Sequence, residues 1–129
     1  MLSKSNVVYE LSCPACGENY IGKTERTLRE RSIEHAWYDA ESPMRNYLRS
    51  WSHFNHMYGI LTMFEDTPAE EQLVNRRNFT IQALQEEIKI LDSDRSWNQL
   101  LYKESLNIER KDPSLNRGLK ASHQLHLFR

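Results

Sequence analysis

An alternation of apolar and polar residues on both sides of a short turn constrains the fold of this chain more than any other feature. Val7, Tyr9 and Leu11 occupy alternate positions of residues 6–12, which is the period of a half-buried strand. Residues 17–22 follow the turn as a short returning strand. The pattern therefore predicts a β-hairpin.

The register of this hairpin follows from the length of its turn. If residues 13–16 form a four-residue loop, Ser12 pairs with Gly17. The same register places Tyr9 directly opposite Tyr20 on the neighbouring strand. We therefore predict two phenols side by side near one end of the hairpin.

A capping signal introduces the first predicted helix. Thr27 is followed three residues later by Glu30, which is capping-box spacing and predicts a helix over 27–37. Arg31 and His35 lie four residues apart, so they share one face of that helix.

The middle of the chain is predicted to hold an insertion and the third strand. Residues 38–86 are interrupted by proline and glycine but rich in aromatic residues, which favours a packed insertion over disorder. Within this insertion, residues 69–84 predict a helix. Residues 86–92 alternate as a third strand. The residues predicted on one face of that strand are Ile88, Ile90 and Asp92.

The last predicted helix carries a carboxylate within its apolar stripe. Ser96 and Gln99 have capping-box spacing and introduce a helix over 96–110. Glu104 lies inside the stripe, where a carboxylate is either partnered or lines a cleft, because burying it unpaired is costly. The apolar positions of this helix are Trp97, Leu100, Leu101 and Ile108.

These elements predict an α+β fold with a small three-stranded antiparallel sheet flanked by helices. We expect one domain over residues 1–129, with an insertion at about 38–86. Pro113 and Gly118 are predicted to end the last helix.

Charge and hydropathy limit the function classes. The chain carries 17 Lys+Arg against 18 Asp+Glu, a formal net charge of −1. Nucleic-acid binders usually have a basic excess, so this balance counts against strong autonomous DNA binding. Residues 23–35 are locally basic and residues 65–71 are acidic. No apolar run approaches the length of a membrane span, and the N-terminus lacks a secretory signal, so we expect an intracellular protein.

The only two cysteines form a CxxCG turn. Cys13 and Cys16 in an intracellular chain favour half of a zinc site over a disulfide, with two unbound thiols as the alternative. Two further zinc ligands must then come from elsewhere in the chain.

Several of these pieces together resemble the GIY-YIG nuclease family. Val7-Val8-Tyr9 stands at the position of the first motif, and Tyr20-Ile21-Gly22 matches the second motif at the separation typical of the family. Arg31 stands where the family places its essential arginine. His35 matches a histidine found one turn later in some members.

The end of the chain extends the resemblance. Glu104 and the run from Pro113 to Asn116 are similar to the late glutamate and the closing Pro-x-x-Asn of the family. More narrowly, the chain looks like the endonuclease domain of Penelope-like retroelements. In those domains a cysteine pair lies between the two tyrosine motifs, as Cys13 and Cys16 do here.

The resemblance implies a metal-dependent endonuclease that nicks DNA by hydrolysing a phosphodiester bond. Glu104 would bind one Mg²⁺ or Mn²⁺, and Arg31 would clamp phosphate oxygens. One tyrosine would act as general base after Arg31, Lys23 or the metal lowered its pKa. The implied catalytic residues are Tyr9, Tyr20, Arg31, His35, Glu104 and Asn116. The implied DNA-contacting residues are Lys23, Arg26, Arg29, Arg117 and Lys120.

The resemblance also implies a structural Zn²⁺ and partners. Beside Cys13 and Cys16, the zinc ligands would be His53 and His56, because Tyr47 stands where one histidine is expected. A nuclear location follows from DNA as the substrate. A reverse-transcriptase domain or another targeting partner would deliver the nuclease to its target.

Departures from the family pattern define two alternatives. Val7 replaces the glycine of the first motif, and Arg31 lies one residue later than usual. The first alternative is therefore a catalytically decayed module of this fold that binds nucleic acid or a protein partner. The second is an interaction domain whose helix at 69–84 docks another protein.

Overall fold

The structure is an antiparallel sheet with helices packed on both of its faces. The computed structural model describes residues 1–14, 16–48 and 69–119, without the side chains of 69, 72 and 117–119. Three antiparallel strands lie in the order β2–β1–β3, which confirms the predicted sheet and the α+β class. The elements are β1 (Val7–Ser12), β2 (Asn19–Thr24), α1 (Leu28–Ile33), a π-helical turn (Glu34–Tyr38), α2 (Pro43–Leu48), α3 (Ala69–Gln85), β3 (Ile88–Ser93), α4 (Trp97–Lys111) and a 3-10 helix (Ser114–Leu119).

The hairpin register differs by two residues from the predicted one. Tyr9 pairs with Gly22, so the prediction that it lies opposite Tyr20 is wrong. The Cys13 N–H donates to the Glu18 carbonyl at 2.8 Å, so Cys13 continues the pairing that was predicted to end at Ser12. Tyr9 and Tyr20 still project from the same face of the sheet, as diagonal neighbours.

The third strand pairs with β1 through an irregular register. Ile88 and Ile90 project from the same face as Tyr9, but one extra residue of β3 is accommodated between Val8 and Tyr9. Asp92 consequently lies opposite Val8 and belongs to the other face. The prediction that Asp92 shares a face with the two isoleucines is therefore wrong, because an extra residue inverts the alternation.

Two groups of buried apolar residues lie on opposite faces of the sheet. The first face is covered by α1, the π-helical turn, α2 and α3, so the described part of the predicted insertion packs into this core. Its residues are Val7, Tyr9, Leu11, Cys13, Leu28, Ala36, Met44, Leu48, Leu84 and Ile88. The other face is covered by α4 and holds Val8, Ile21, Leu100 and Ile108. Full burial of each such leucine or isoleucine contributes about 1.5–3 kcal/mol.

Both predicted helix N-caps form. Thr27 Oγ1 accepts from the Glu30 N–H at 3.3 Å, and Ser96 Oγ accepts from the Gln99 N–H at 3.5 Å. The helices predicted at 69–84 and 96–110 are confirmed as α3 and α4. Within the described parts of the chain, no helix is long and apolar enough to cross a membrane.

The helix predicted over 27–37 is α-helical only in its first part. α1 ends at Ile33, and in the π-helical turn the Asp39 N–H donates to the Glu34 carbonyl at 2.9 Å. A π-helical turn is wider than an α-helical one. It brings Asp39 to the side chain of Arg31, on the face that the sequence assigned to Arg31 and His35.

The last helix ends at Asp112 rather than through Gly118. Asp112 adopts the left-handed conformation with φ 44 and ψ 57, and its N–H donates to the Ile108 carbonyl at 2.8 Å. Pro113 cannot continue the helix because it lacks an N–H. The chain therefore turns into the 3-10 helix, which carries Asn116 back to the sheet.

Candidate active site

Two tyrosines converge over Gly22. Tyr9 is buried and Tyr20 is partly buried. A Cβ atom at Gly22 would lie 2.5 Å from the Tyr9 hydroxyl oxygen and 2.9 Å from Tyr20 Cε1. These distances are shorter than any normal contact, so this position requires glycine for space rather than for a special backbone conformation.

His35 lies at the centre of the site and is hydrogen-bonded on both sides. Its Nε2 lies 2.6 Å from the Tyr9 hydroxyl, and its Nδ1 lies 2.5 Å from Ser42 Oγ. The ring centroids of His35 and Tyr20 are 5.1 Å apart. Burial, reinforced by the positive charge of Arg31, lowers the pKa of His35 to about 3. The imidazole is therefore neutral at neutral pH.

Arg31 connects Tyr9 to two carboxylates. Its Nη1 donates to Asp39 Oδ2 at 2.9 Å and lies 3.7 Å from Glu34 Oε2. The positive charge of the guanidinium also favours the ionised form of Tyr9 and so acts to lower the pKa of that phenol. Burial alone would lower the pKa of Arg31, but Tyr9 and Asp39 outweigh burial and raise it. Arg31 therefore pairs with Glu34, a carboxylate of the π-helical turn, and also interacts electrostatically with Tyr9.

Arg31 acts to lower the pKa of both tyrosines, as predicted, but burial has the larger effect. Burial, and then the charge of Tyr20, raises the pKa of Tyr9 well above its ordinary range, although Arg31 acts in the opposite direction. Burial and the charge of Glu104 raise the pKa of Tyr20 to about 12. Removing a phenolate from water costs more than one nearby guanidinium offsets, so both phenols are neutral at neutral pH.

Glu104 lies in a position that binds a cation. This residue is only 3% exposed, and Lys23 Nζ lies 3.3 Å from its Oε1. The same ammonium group lies 4.7 Å from the centroid of the Trp97 ring, which is 46% exposed rather than part of a buried stripe. The ammonium shows that the carboxylate accepts positive charge here, and a hard divalent ion that prefers oxygen ligands suits the same group.

Asn116 holds the 3-10 helix against β2. Its Oδ1 accepts from the Ile21 N–H at 2.7 Å, and its Nδ2 donates to the Ile21 carbonyl at 2.9 Å. The buried amide therefore satisfies both backbone groups of the residue between Tyr20 and Gly22. Asn116 therefore helps to hold the site together by hydrogen bonds.

The structure brings together residues that are far apart in the sequence. Around the β1–β2 hairpin lie Tyr9, Tyr20, Arg31, His35, Glu104 and Asn116. Sequence reasoning missed Ser42 and Asp39. The Ser-Pro pair at 42–43 indicates a helix start, and Ser42 Oγ does accept from the Arg45 N–H at 3.2 Å. No spacing rule connects Ser42 to His35.

The cysteine pair lies at the turn of the hairpin. Cys13 is buried and Cys16 is exposed, and Cys16 Sγ lies 3.0 Å from the Tyr47 hydroxyl. In the described ranges, no group of three or more His, Cys, Asp or Glu residues is placed to hold a metal ion. His53 and His56 lie outside the described residues, so the zinc site stays a prediction.

The predicted DNA-contacting residues differ in their surroundings. Lys23 faces Glu104, as described above. Arg26 forms ion pairs with Glu30, at 3.9 Å, and with Glu34, so acidic neighbours balance its charge. Arg29 is exposed. The side chain of Arg117 and the whole of Lys120 lie outside the described residues.

Three comparisons with known proteins found no match to this chain. No protein-family model, curated protein or solved structure matches it.

Proposed function

We propose that this chain is a metal-dependent DNA endonuclease of the GIY-YIG type, resembling those of Penelope-like retroelements, that nicks DNA. The observation that carries the proposal is the connected cluster of Tyr9, His35 and Arg31. The Tyr9 hydroxyl lies 2.6 Å from His35 Nε2, and the positive charge of Arg31 acts to lower the pKa of Tyr9. The negative charge of Glu104 acts to raise the pKa of both tyrosines. A proton acceptor, an anion clamp and a cation ligand are what phosphodiester hydrolysis needs.

In this proposal Tyr9 passes a proton from the attacking water to His35. Because burial raises the pKa of Tyr9, the phenol is not ionised beforehand. Its oxygen accepts the water proton while its own proton moves to His35 Nε2, and the neutral imidazole becomes an imidazolium. The water oxygen bonds to phosphorus, the bond from phosphorus to the 3′-oxygen breaks, and solvent protonates the leaving oxygen.

Arg31 stabilises the negative charge that develops on the phosphate. Its side chain is 21% exposed, so a phosphate oxygen can approach while much of the guanidinium stays out of bulk water. The group has five N–H donors in a planar fork. One edge can keep Asp39 while the other donates to phosphate, and partial burial strengthens that interaction.

Glu104 would hold the divalent ion, Mg²⁺ or Mn²⁺. When bound, the ion supplies Lewis-acid stabilisation of the phosphate and of the leaving 3′-oxygen. Lys23 now pairs with this carboxylate at 3.3 Å. Its ammonium would then contact DNA phosphates together with the other proposed DNA-binding residues, Arg26, Arg29, Arg117 and Lys120.

The proposal also includes a structural zinc ion and a partner that delivers the nuclease to DNA. A structural Zn²⁺ on Cys13 and Cys16, with His53 and His56 as further ligands, would hold the hairpin turn. Because the net charge is −1, a reverse-transcriptase domain or another targeting partner would deliver the nuclease to DNA in the nucleus.

Two ion pairs favour a second candidate, a decayed module that binds nucleic acid or a protein without cutting. Arg31 is paired with Asp39 at 2.9 Å, and Glu104 is paired with Lys23 at 3.3 Å. In a decayed module these pairs would persist in the presence of DNA and metal. In a nuclease, metal and phosphate replace them.

Conversion of supercoiled plasmid tests the two candidates. The purified chain is incubated with Mg²⁺, with Mn²⁺ and with EDTA, beside Glu104→Ala and the control Glu109→Ala, which changes an exposed glutamate of the same helix. A nuclease should give open-circular plasmid with metal, and Glu104→Ala should abolish it while Glu109→Ala should not. Absence of nicking by the folded wild-type chain, or nicking that survives Glu104→Ala, would contradict the proposal.

A further inference from the structure

Ser42 lies behind His35, on the side away from Tyr9. Ser42 is only 1% exposed, and its Oγ lies 2.5 Å from His35 Nδ1. The same oxygen accepts the Arg45 N–H at 3.2 Å. A hydroxyl oxygen has two lone pairs, so Ser42 can accept from the imidazole as well as from the backbone.

The surroundings of Tyr9 decide which imidazole nitrogen carries the proton. A neutral imidazole has one N–H donor and one acceptor nitrogen. The Tyr9 hydroxyl is buried, and among the described residues its hydrogen-bond partner is His35 Nε2, 2.6 Å away. Leaving the phenolic O–H without an acceptor is costly, so this proton is directed at Nε2. Nε2 must then be the acceptor, and the proton of His35 lies on Nδ1, facing Ser42.

We propose that Ser42 is a positioning residue that holds His35 in the Nδ1–H tautomer, with the Nε2 lone pair facing Tyr9. This inference rests on the proposed nuclease function, in which His35 receives the proton that Tyr9 passes on. In the opposite tautomer, Nε2–H would point at the Tyr9 hydroxyl and could not accept that proton. Ser42 acts only through His35 and contacts neither the water nor the phosphate.

The Nδ1–H tautomer also suits the charged state of His35, which forms when Nε2 receives the proton. When Nε2 is protonated, Nδ1–H keeps its hydrogen bond to Ser42 Oγ, so the imidazolium forms without a change of orientation. A hydrogen-bond partner that is oriented before the reaction avoids reorganisation during it. The expected consequence of losing Ser42 is therefore slower chemistry rather than weaker DNA binding.

Ser42 has a second role, because it caps α2 through the Arg45 N–H. Three variants separate the two roles. Ser42→Ala removes both the cap and the acceptor for Nδ1–H. Ser42→Thr keeps a hydroxyl for both. Ser96→Ala removes the cap of α4, which covers the face of the sheet opposite to Tyr9 and His35, so it measures the cost of losing a helix cap alone.

The first experiment is ¹⁵N NMR of the histidine ring nitrogens in the intact chain at neutral pH, which needs no nuclease activity. Wild type and Ser42→Thr should show the Nδ1–H form of His35, and Ser42→Ala should show a mixture of tautomers or the Nε2–H form. An Nε2–H ring in the wild type, or an unaltered ring in Ser42→Ala, would overturn the proposal.

The second experiment is steady-state nicking by the same proteins. Ser42→Ala should lower kcat at least about 10-fold, which is part of the roughly 10²–10⁴-fold that acid–base catalysis contributes, while KM changes less than about 2-fold. Ser42→Thr should restore most of kcat, and Ser96→Ala should leave it near wild type. A changed tautomer with an unchanged kcat would overturn the role of Ser42. A wild type without nicking activity would instead overturn the proposed function, and the NMR result would still decide the tautomer.

Discussion

Gly22 lies directly across the hairpin from Tyr9, and the Tyr9 phenol fills the space that a side chain at Gly22 would need. The glycine leaves room for the phenol, whose hydroxyl lies 2.6 Å from His35 Nε2. The final residue of the Tyr20-Ile21-Gly22 motif is therefore part of the site, although it carries no functional group.

Replacing Gly22 by alanine should displace Tyr9 and destabilise the fold. A Cβ atom 2.5 Å from the hydroxyl oxygen forces the ring to move, and overpacking of this kind costs about 1–3 kcal/mol. Urea denaturation measures the loss. In a Tyr9→Phe background the nearest contacting atom is absent, so Gly22→Ala should cost less there. Equal stability of Gly22→Ala and wild type would show that the ring moves without strain.

Removing the ammonium of Lys23 should destabilise the chain in EDTA. Glu104 has a side chain that is 5% exposed, and it would lose this cation. Lys23→Met should lower the free energy of unfolding by about 1–3 kcal/mol, and Mn²⁺ should restore part of the loss. Lys103→Met is the control, because its pairs with Asp92 and Asp94 are more exposed and screened by water. Equal effects of both substitutions would contradict the prediction.

The stability of the chain should depend on pH through His35. Its pKa in the folded chain, about 3, lies below the ordinary value of about 6.5. The contribution of the neutral imidazole is therefore present in full above about pH 6.5 and is lost as the pH falls towards 3. Between pH 7 and pH 5 the loss should be about 2 kcal/mol. His35→Asn should show a shallower decline in urea denaturation over this range, and parallel declines would refute the assignment.

Asn116 should protect the backbone of β2. Asn116→Asp keeps an acceptor for the Ile21 N–H but replaces the donor to the Ile21 carbonyl by an oxygen. The unsatisfied carbonyl should cost about 1–3 kcal/mol, and the Ile21 amide should exchange with solvent faster. Hydrogen exchange followed by NMR measures this, with the exposed Asn98→Asp as control. Unchanged protection of Ile21 would mean that Asn116 does not hold the strand.

The fold was predictable where its signals are local. The three strands follow from alternation, and the caps at Thr27 and Ser96 mark the starts of α1 and α4, because each signal involves residues only a few positions apart. The register was not predictable from the cysteine turn, since Cys13 pairs with Glu18 instead of belonging to the loop. The extra residue in β3 opposite Val8 and Tyr9 similarly depends on pairing between distant strands.

The sequence by itself determined which residues are present for chemistry, and it placed Arg31 and His35 on one helical face and Glu104 inside an apolar stripe. Only the tertiary structure decided that Tyr9 meets His35, that Ser42 lies behind the imidazole and that Asp39 reaches Arg31. It also decided that burial outweighs Arg31 in setting the pKa values of the two tyrosines. The physical reason is that proton affinity depends on burial and on charges from other elements. The spacing of residues in a sequence gives no information about burial or about charges from other elements.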